Sequence, residues 1–314
     1  MRGVASGEER AYPVVMTGAT VKTTIASLLA RKRERRKIPV LTCYDFSTAR
    51  LMAEAGVDVI LVGDTYGEVC LGHASTLPVT MDQMITIAAA VRRGAPGAFL
   101  IGDMPYLSYQ TGPADAIRNA GRFMAEAGCD CVKIEVHGGS ADLVAAMSRA
   151  TIPVMAHLGL KPQAIHRHGG YRVQGRTAAE ACEIVRDAHV LEEAGAVALL
   201  LEAVPGEVAR IIAERTCLPV IGCVAGPYCD GTVVVIHDLL GYAAGHPPRS
   251  VKRYADLHTV LTQAFSAYAE DVVAQRFPSD GHWIAMSETE LARLTQILNG
   301  DTALRSHPGT EKPG

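Results

Sequence analysis

The chain has 314 residues, 48% of them hydrophobic and 20% charged, with a net charge of −3 from 30 Lys and Arg against 33 Asp and Glu. That balance offers no basic surface for nucleic acid or an anionic membrane, and no apolar run reaches the ~18 residues a membrane span needs. Residues 1–18 lack the continuous apolar core of a secretory signal. A cytoplasmic protein with a flexible extension over 1–18 is therefore expected, and its eight scattered cysteines read as reduced thiols.

A capped helix beginning near Thr23-Thr24 runs into the basic stretch 31–37, a solvated helix face or an oligomer contact. A first buried strand over 38–45 follows, then a helix over 47–55 closed by Gly56. From there one unit repeats: a short apolar strand, a polar or acidic end, then a helix. The spacing predicts strands over 57–64, 98–103, 129–136, 152–157, 196–202, 219–223 and 232–237. It predicts helices over 81–93, 114–127, 140–150, 178–194 and 206–215. The stop signal Ala-Gly recurs at 55–56, 127–128 and 194–195.

Continuous Val, Ile and Leu strands alternating with helices require a parallel sheet covered on both faces. Eight such units in this length favour a closed (β/α)8 TIM barrel over an open doubly wound sheet. No G-x-G-x-x-G follows the first strand, which disfavours dinucleotide binding. The barrel domain is expected over 19–285, opening on its N-terminal helix. Helices follow over 254–275 and 287–298, the second opening on Ser287-Glu288-Thr289-Glu290, a capping-box pattern. Residues 286–314 are expected to form an extra C-terminal helix and a disordered tail.

In such a barrel the chemistry sits at the C-terminal strand ends. Those ends supply Asp45, Asp64, Asp103, Lys133 with Glu135, His157 and Glu202. Lys133 and Glu135 share a face by the period of two, together with Cys131. Several acids converging on a packed barrel centre call for a cation, because an unpaired buried charge costs several kcal/mol. Asp64 and Asp103 each follow a glycine at a strand end and form the natural pair. Oxygen ligands of this kind suit Mg²⁺, with Glu135 completing the outer shell and Lys133 offsetting charge or binding a substrate anion. A single strand-end Asp also serves as a helix N-cap, so each acid alone carries two readings. Glu202 ends an almost wholly apolar strand. Desolvation there raises a carboxyl's proton affinity, which suits a general base; a buried ion-pair partner is the alternative. His157 is either structural or a substrate contact.

These residues resemble a known family. Gly63-Asp64-Thr65 with 72–80, the blocks 89–96 and 103–106, Lys133-Ile134-Glu135, His157-Leu158-Gly159-Leu160-Lys161-Pro162-Gln163, 169–176 and Leu201-Glu202 occur in the order found in ketopantoate hydroxymethyltransferases, from about Thr23 to His282. The resemblance implies a Mg²⁺-dependent barrel of the phosphoenolpyruvate mutase/isocitrate lyase-like type, usually decameric. It implies transfer of a one-carbon unit from the co-substrate 5,10-methylenetetrahydrofolate to 3-methyl-2-oxobutanoate, giving 2-dehydropantoate in pantothenate biosynthesis. It implies Asp64, Asp103 and Glu135 as metal ligands; Asp64, Thr65, Asp103, Lys133 and His157 as substrate contacts; and Glu202 as the proton acceptor.

The chain departs from the family pattern at Thr65, where Ser is usual, at Tyr66, Glu68 and Ala74, and at Cys223-Val224-Ala225-Gly226. Other readings stay open: the same chemistry on a different 2-oxo acid, a Mg²⁺-dependent 2-oxo acid aldolase or lyase, a class I aldolase with Lys133 as Schiff-base nucleophile, or a non-catalytic metabolite-binding barrel.

Overall fold

A computed structural model describes residues 22–243 and 250–301. The expected extension over 1–18 and the tail beyond 301 lie outside the described residues. Two compact units are present, Met1–Ala255 and Asp256–Gly314. The first long C-terminal helix, Leu257–Val273, belongs to the second unit.

The strands are β1 Ile38–Thr42, β2 Val59–Val62, β3 Phe99–Asp103, β4 Cys131–Glu135, β5 Val154–Gly159, β6 Ala198–Glu202, β7 Val220–Cys223 and β8 Gly231–Val234. They pair in parallel in sequence order, and β8 returns to β1 with Val40 beside Val233, closing the barrel. The helices of the first unit are α1 Ile25–Arg33, α2 Phe46–Glu54, α3 Tyr66–Val69, α4 Met81–Gly94, α5 Pro113–Ala125, α6 Ala141–Arg149, α7 Ile165–His168, α8 Ala178–Glu193, α9 Gly206–Arg215 and α10 Ile236–Leu240. The predicted strands and long helices coincide with these to within a few residues. Thr24, Thr80 and Thr177 each close a capping box at the start of their helix, which is why those starts were legible.

Side chains alternate as the strand period demands. Leu61, Ile101, Cys131, Met155, Leu200, Ile221 and Val233 fill the barrel interior. Their neighbours Ile60, Leu100, Val132, Ala156 and Leu199 pack outward with Met84, Phe123 and Met147 of the helices. At ~25 cal/mol per Å² of apolar area these two layers supply the main driving force for closure. At the C-terminal end the interior register continues into Asp103, Lys133, Glu135, His157 and Glu202.

One element differs from expectation. The eighth strand was predicted to reach His237, yet β8 stops at Val234 and His237 lies in α10. The Ile236 N–H donates to Thr42 Oγ1 at 3.0 Å, and the Asp238 N–H donates to the Val235 carbonyl at 3.1 Å. The backbone therefore turns helical while the side chains remain apolar, so the strand pattern ran on past the strand. No helix among the described residues is long and apolar enough to cross a membrane.

In the second unit, α11 Leu257–Val273 and α12 Glu288–Gly300 contain no buried residues. Phe265, Tyr268, Trp283 and Ile284 are exposed.

Candidate active site

The site forms at the mouth of the barrel from the ends of β2 to β6. Asp103, the last residue of β3, points inward by alternation from Phe99 and Ile101. Lys133 does the same on β4, and its ammonium lies 2.8 Å from Asp103 Oδ1. Asp64 arrives differently. Counting by twos from Val59 and Leu61 sends position 63 inward and 64 outward, but the chain leaves the strand after Val62. Backbone bonds from Tyr66 N to Gly63 O at 3.1 Å and from Gly67 N to Asp64 O at 2.9 Å curl it into α3. The Asp64 N–H then donates to Asp103 Oδ2 at 3.0 Å, joining the two acids across β2 and β3. Gly63 makes room for this: a Cβ there would lie 2.9 Å from Thr65 Oγ1. The Thr65 hydroxyl bonds the Tyr44 hydroxyl at 2.7 Å.

His157 on β5 is fully enclosed. Its Nδ1 faces the Lys133 ammonium at 3.4 Å and its Nε2 faces Glu202 Oε2 at 3.4 Å. Burial and the nearby ammonium lower its pKa, so the ring is neutral. An ammonium only donates. Nδ1 therefore accepts, which places the ring proton on Nε2, toward Glu202. Glu202 itself is more open than the sequence reading assumed, with 21% of its side chain exposed. Its partial exposure follows from its place as the last residue of β6, at the rim of the cavity. A small cavity of about 50 Å³ is lined by Asp64, Thr65, Asp103, Lys133, His157 and Glu202, with Leu61, Leu200, Cys223 and Val233 as its apolar wall. Every residue singled out from sequence as a substrate contact or base meets in that space.

Two acids behave otherwise. Asp45 is not part of the cluster; its Oδ1 accepts from the Thr48 N–H at 2.8 Å and caps α2. Glu135 is buried beside the cluster, its Oε1 4.0 Å from His157 Nδ1 and its carboxylate accepting from the Gln163 N–H at 3.0 and 3.2 Å. Among the described residues, no three His, Cys, Asp or Glu side chains are assembled as a ready metal-ligand set. The Asp64–Asp103 pair is joined directly, and Glu135, expected in the outer shell, is held beside it by the Gln163 backbone.

The charges nonetheless do not balance. Asp64, Asp103 and Glu135 face one ammonium in a nearly dry site. Burial raises the Asp103 carboxyl to about 8, with Lys133 opposing and Asp64 adding to the rise. Burial also drives Glu135 well above the ordinary carboxylate range. Burial works against the Lys133 charge, but Asp103, Asp64 and Glu135 outweigh it and hold its pKa above that of a free lysine. Lys133 therefore remains an ammonium, which argues against a Schiff-base nucleophile. Burial and mutual repulsion thus resist the ionisation of the Asp103 and Glu135 carboxyls, and a divalent cation would relieve both. A pair of carboxylates suits Mg²⁺, which keeps several waters and takes its remaining ligands from substrate.

Sequence reasoning missed Gln163 and Tyr109. The Gln163 side chain joins Asp64 to the loop after β3, and Tyr109 bonds both Gln163 Oε1 and the Glu135 N–H. Gln163 was quoted only as part of a motif, and nothing local to either residue marks it as facing the acids. Next to them opens a larger cavity of about 600 Å³, which shares Glu135, Tyr109 and Gln163 with the acid cluster and is rimmed by Lys161, Arg167 and Asp187.

Fold and site together define a closed parallel (β/α)8 barrel enzyme with a carboxylate cluster at the C-terminal ends of its strands. Phosphoenolpyruvate phosphomutase from Streptomyces platensis superposes with a TM-score of 0.56 at 16% identity, over 88% of this chain and 98% of that one. 2,3-Dimethylmalate lyase, a member of the phosphoenolpyruvate mutase/isocitrate lyase superfamily, gives 0.52 at 18% identity, over 88% and 95%. The family model for ketopantoate hydroxymethyltransferase matches residues 22–280. A 3-methyl-2-oxobutanoate hydroxymethyltransferase from Syntrophomonas wolfei is 45% identical over 273 residues, 87% of this chain and 99% of that protein. One from Trichlorobacter lovleyi is 48% identical over 261 residues, covering 83% and 98%. The chain belongs to the ketopantoate hydroxymethyltransferase family and is an enzyme of hydroxymethyl transfer.

Proposed function

We propose that the enzyme converts 3-methyl-2-oxobutanoate to 2-dehydropantoate, with 5,10-methylenetetrahydrofolate as one-carbon donor and Mg²⁺ as cofactor. The observation that carries this reading is the joining of Asp64, Asp103, Lys133, His157 and Glu202 around one small cavity in a chain of this family.

Asp64 and Asp103 would hold the metal, with Glu135 in its outer surroundings. Bound there, Mg²⁺ supplies Lewis-acid stabilisation of negative charge at the keto oxygen. The Lys133 ammonium and the Thr65 hydroxyl bind and orient the substrate carboxylate. The branched carbon chain faces Leu61, Leu200, Cys223 and Val233. Glu202 removes the proton from C3, and the bonding pair moves into the C2–C3 bond as the keto oxygen gains charge. The neutral His157 ring turns its Nε2 proton toward Glu202 Oε2, 3.4 Å away, and steers the carboxylate. C3 then attacks the methylene carbon of the folate. Both bonds from that carbon to the two folate nitrogens break, one replaced by the new carbon–carbon bond and the other by the hydroxyl oxygen from water, and the proton taken from C3 and one from water end on the two nitrogens of tetrahydrofolate. The 600 Å³ cavity beside Glu135 leaves room for a bicyclic ring near the reacting carbon. The apolar residues exposed on α11 and α12 support assembly as a homo-oligomer.

The test is exchange of the C3 proton across a panel of 2-oxo acids with Mg²⁺ present, followed by product formation with the folate. Preference for 3-methyl-2-oxobutanoate and dependence on the folate are expected. Preference for another 2-oxo acid, or turnover with a free aldehyde in place of the folate, would replace this reading by one of the alternatives.

A further inference from the structure

The geometry points to Gln163 as the residue that positions the acid cluster, an inference that rests on Asp64 and Glu135 acting at the proposed metal site. Gln163 lies on a short turn just past β5, and the chain reaches it by an unusual route. Gly159 has φ +91, and a Cβ there would meet the Glu202 carbonyl oxygen at 2.2 Å. The Leu160 N–H donates to that same carbonyl at 2.8 Å. This close crossing over β6 turns the following residues back across the barrel mouth, where Gln163 is buried among residues from β2, β3 and β4.

Its hydrogen bonds are fully committed. Nε2 donates to Asp64 Oδ2 at 2.9 Å and to the Met104 carbonyl at 2.9 Å. Oε1 accepts from the Tyr109 hydroxyl at 2.7 Å and from Gln110 Nε2 at 3.0 Å. The backbone N–H donates to both oxygens of Glu135. Only this orientation of the amide works, because a flip would set Oε1 against a carboxylate and a carbonyl. One residue therefore ties Asp64, separated from it by 99 positions, to Glu135 through its own covalent frame. Tyr109 locks that frame from the other side by accepting from the Glu135 N–H at 3.0 Å.

A neutral donor is the right chemistry for this place. Two carboxylates held near each other repel, and a lysine in place of Gln163 would cancel the charge a cation needs. An amide separates and aims them while leaving their charge intact. Partners behind metal ligands of this kind typically matter by 10- to 100-fold in metal affinity. The same residue also lines the 600 Å³ cavity, so it stands between the acid cluster and the adjoining space.

The test uses the full chain and Mn²⁺ alone, titrated by calorimetry or by loss of the free-ion paramagnetic signal. Gln163→Met keeps the length and removes every side-chain bond; Tyr109→Phe removes only the hydroxyl. Wild type is expected to bind Mn²⁺, Gln163→Met about 10-fold more weakly or worse, and Tyr109→Phe about 3-fold more weakly. Melting temperatures in EDTA separate lost positioning from lost folding. Folded Gln163→Met with wild-type Mn²⁺ affinity overturns the inference; if that variant does not fold, unchanged affinity in Tyr109→Phe overturns it. A wild type that binds no Mn²⁺ overturns instead the metal site on which the inference rests.

Discussion

Gly63-Asp64 and Gly102-Asp103 read alike in the sequence, yet the barrel uses them in opposite ways. Gly102 faces outward. A Cβ there would lie 2.3 Å from the Phe123 ring, so its bare backbone lets α5 close on β3, and Asp103 points inward by alternation. Gly63 faces inward. A Cβ there would meet Thr65 Oγ1 at 2.9 Å and Asp103 Oδ2 at 3.8 Å, so its bareness belongs to the site. Asp64 then reaches the mouth only because the chain curls out of the strand. One glycine serves packing and the other serves chemistry, and the dipeptide alone does not say which.

The sharpest way to break the comparison is at the acids themselves. Asp64→Asn and Asp103→Asn are each expected to lower C3 proton exchange by about 10³-fold or more, read by loss of substrate deuterium. They part company in stability. Above about pH 8, where Asp103 is ionised, Asp103→Asn leaves the buried Lys133 ammonium without its 2.8 Å partner and should cost about 3–5 kcal/mol by denaturant unfolding. Asp64→Asn strands no cation and should cost much less. Equal losses would mean that the two acids are equivalent after all.

The next effect is on pH. Asp103 titrates at about 8 and Glu135 well above its ordinary value, whereas unfolded carboxyls titrate near ~4. Between those limits the folded protein holds protons that the unfolded chain has released. Stability of the metal-free protein therefore falls as pH rises from about 5 to 8, by roughly 1 kcal/mol per unit for each of the two carboxyls. Mg²⁺ competes with those protons and should flatten the slope, as melting curves in EDTA and in excess Mg²⁺ would record.

The glycines give the smaller, more discriminating effects. Gly102→Ala drives a methyl into Phe123 and should cost about 1–3 kcal/mol, with kcat of the folded fraction intact. Gly63→Ala should fold nearly as well but displace the Thr65 hydroxyl and raise the KM for the 2-oxo acid about 10-fold. The reverse pattern would exchange the two roles. Smallest of all, Thr65→Ser keeps the hydroxyl that bonds Tyr44 and should change kcat/KM by no more than about 3-fold.

The sequence by itself determined the repeating strand–helix unit, because strand period and helix capping are local. Met81–Gly94 and Gly206–Arg215 match their predicted spans almost residue for residue. It also determined which acids, lysine and histidine end the strands, since parity along β4 to β6 carries Lys133, Glu135, His157 and Glu202 inward. Only the tertiary structure decided what those ends do. Asp45 caps a helix, Asp64 is turned inward against its strand parity, and Glu135 is anchored by the backbone N–H of Gln163. Gln163 and Tyr109 reach the site from loops whose separation from their partners no local pattern records. Secondary structure follows from interactions a few residues apart, whereas convergence at a barrel mouth is set by closure of the sheet and by the path of each loop across it.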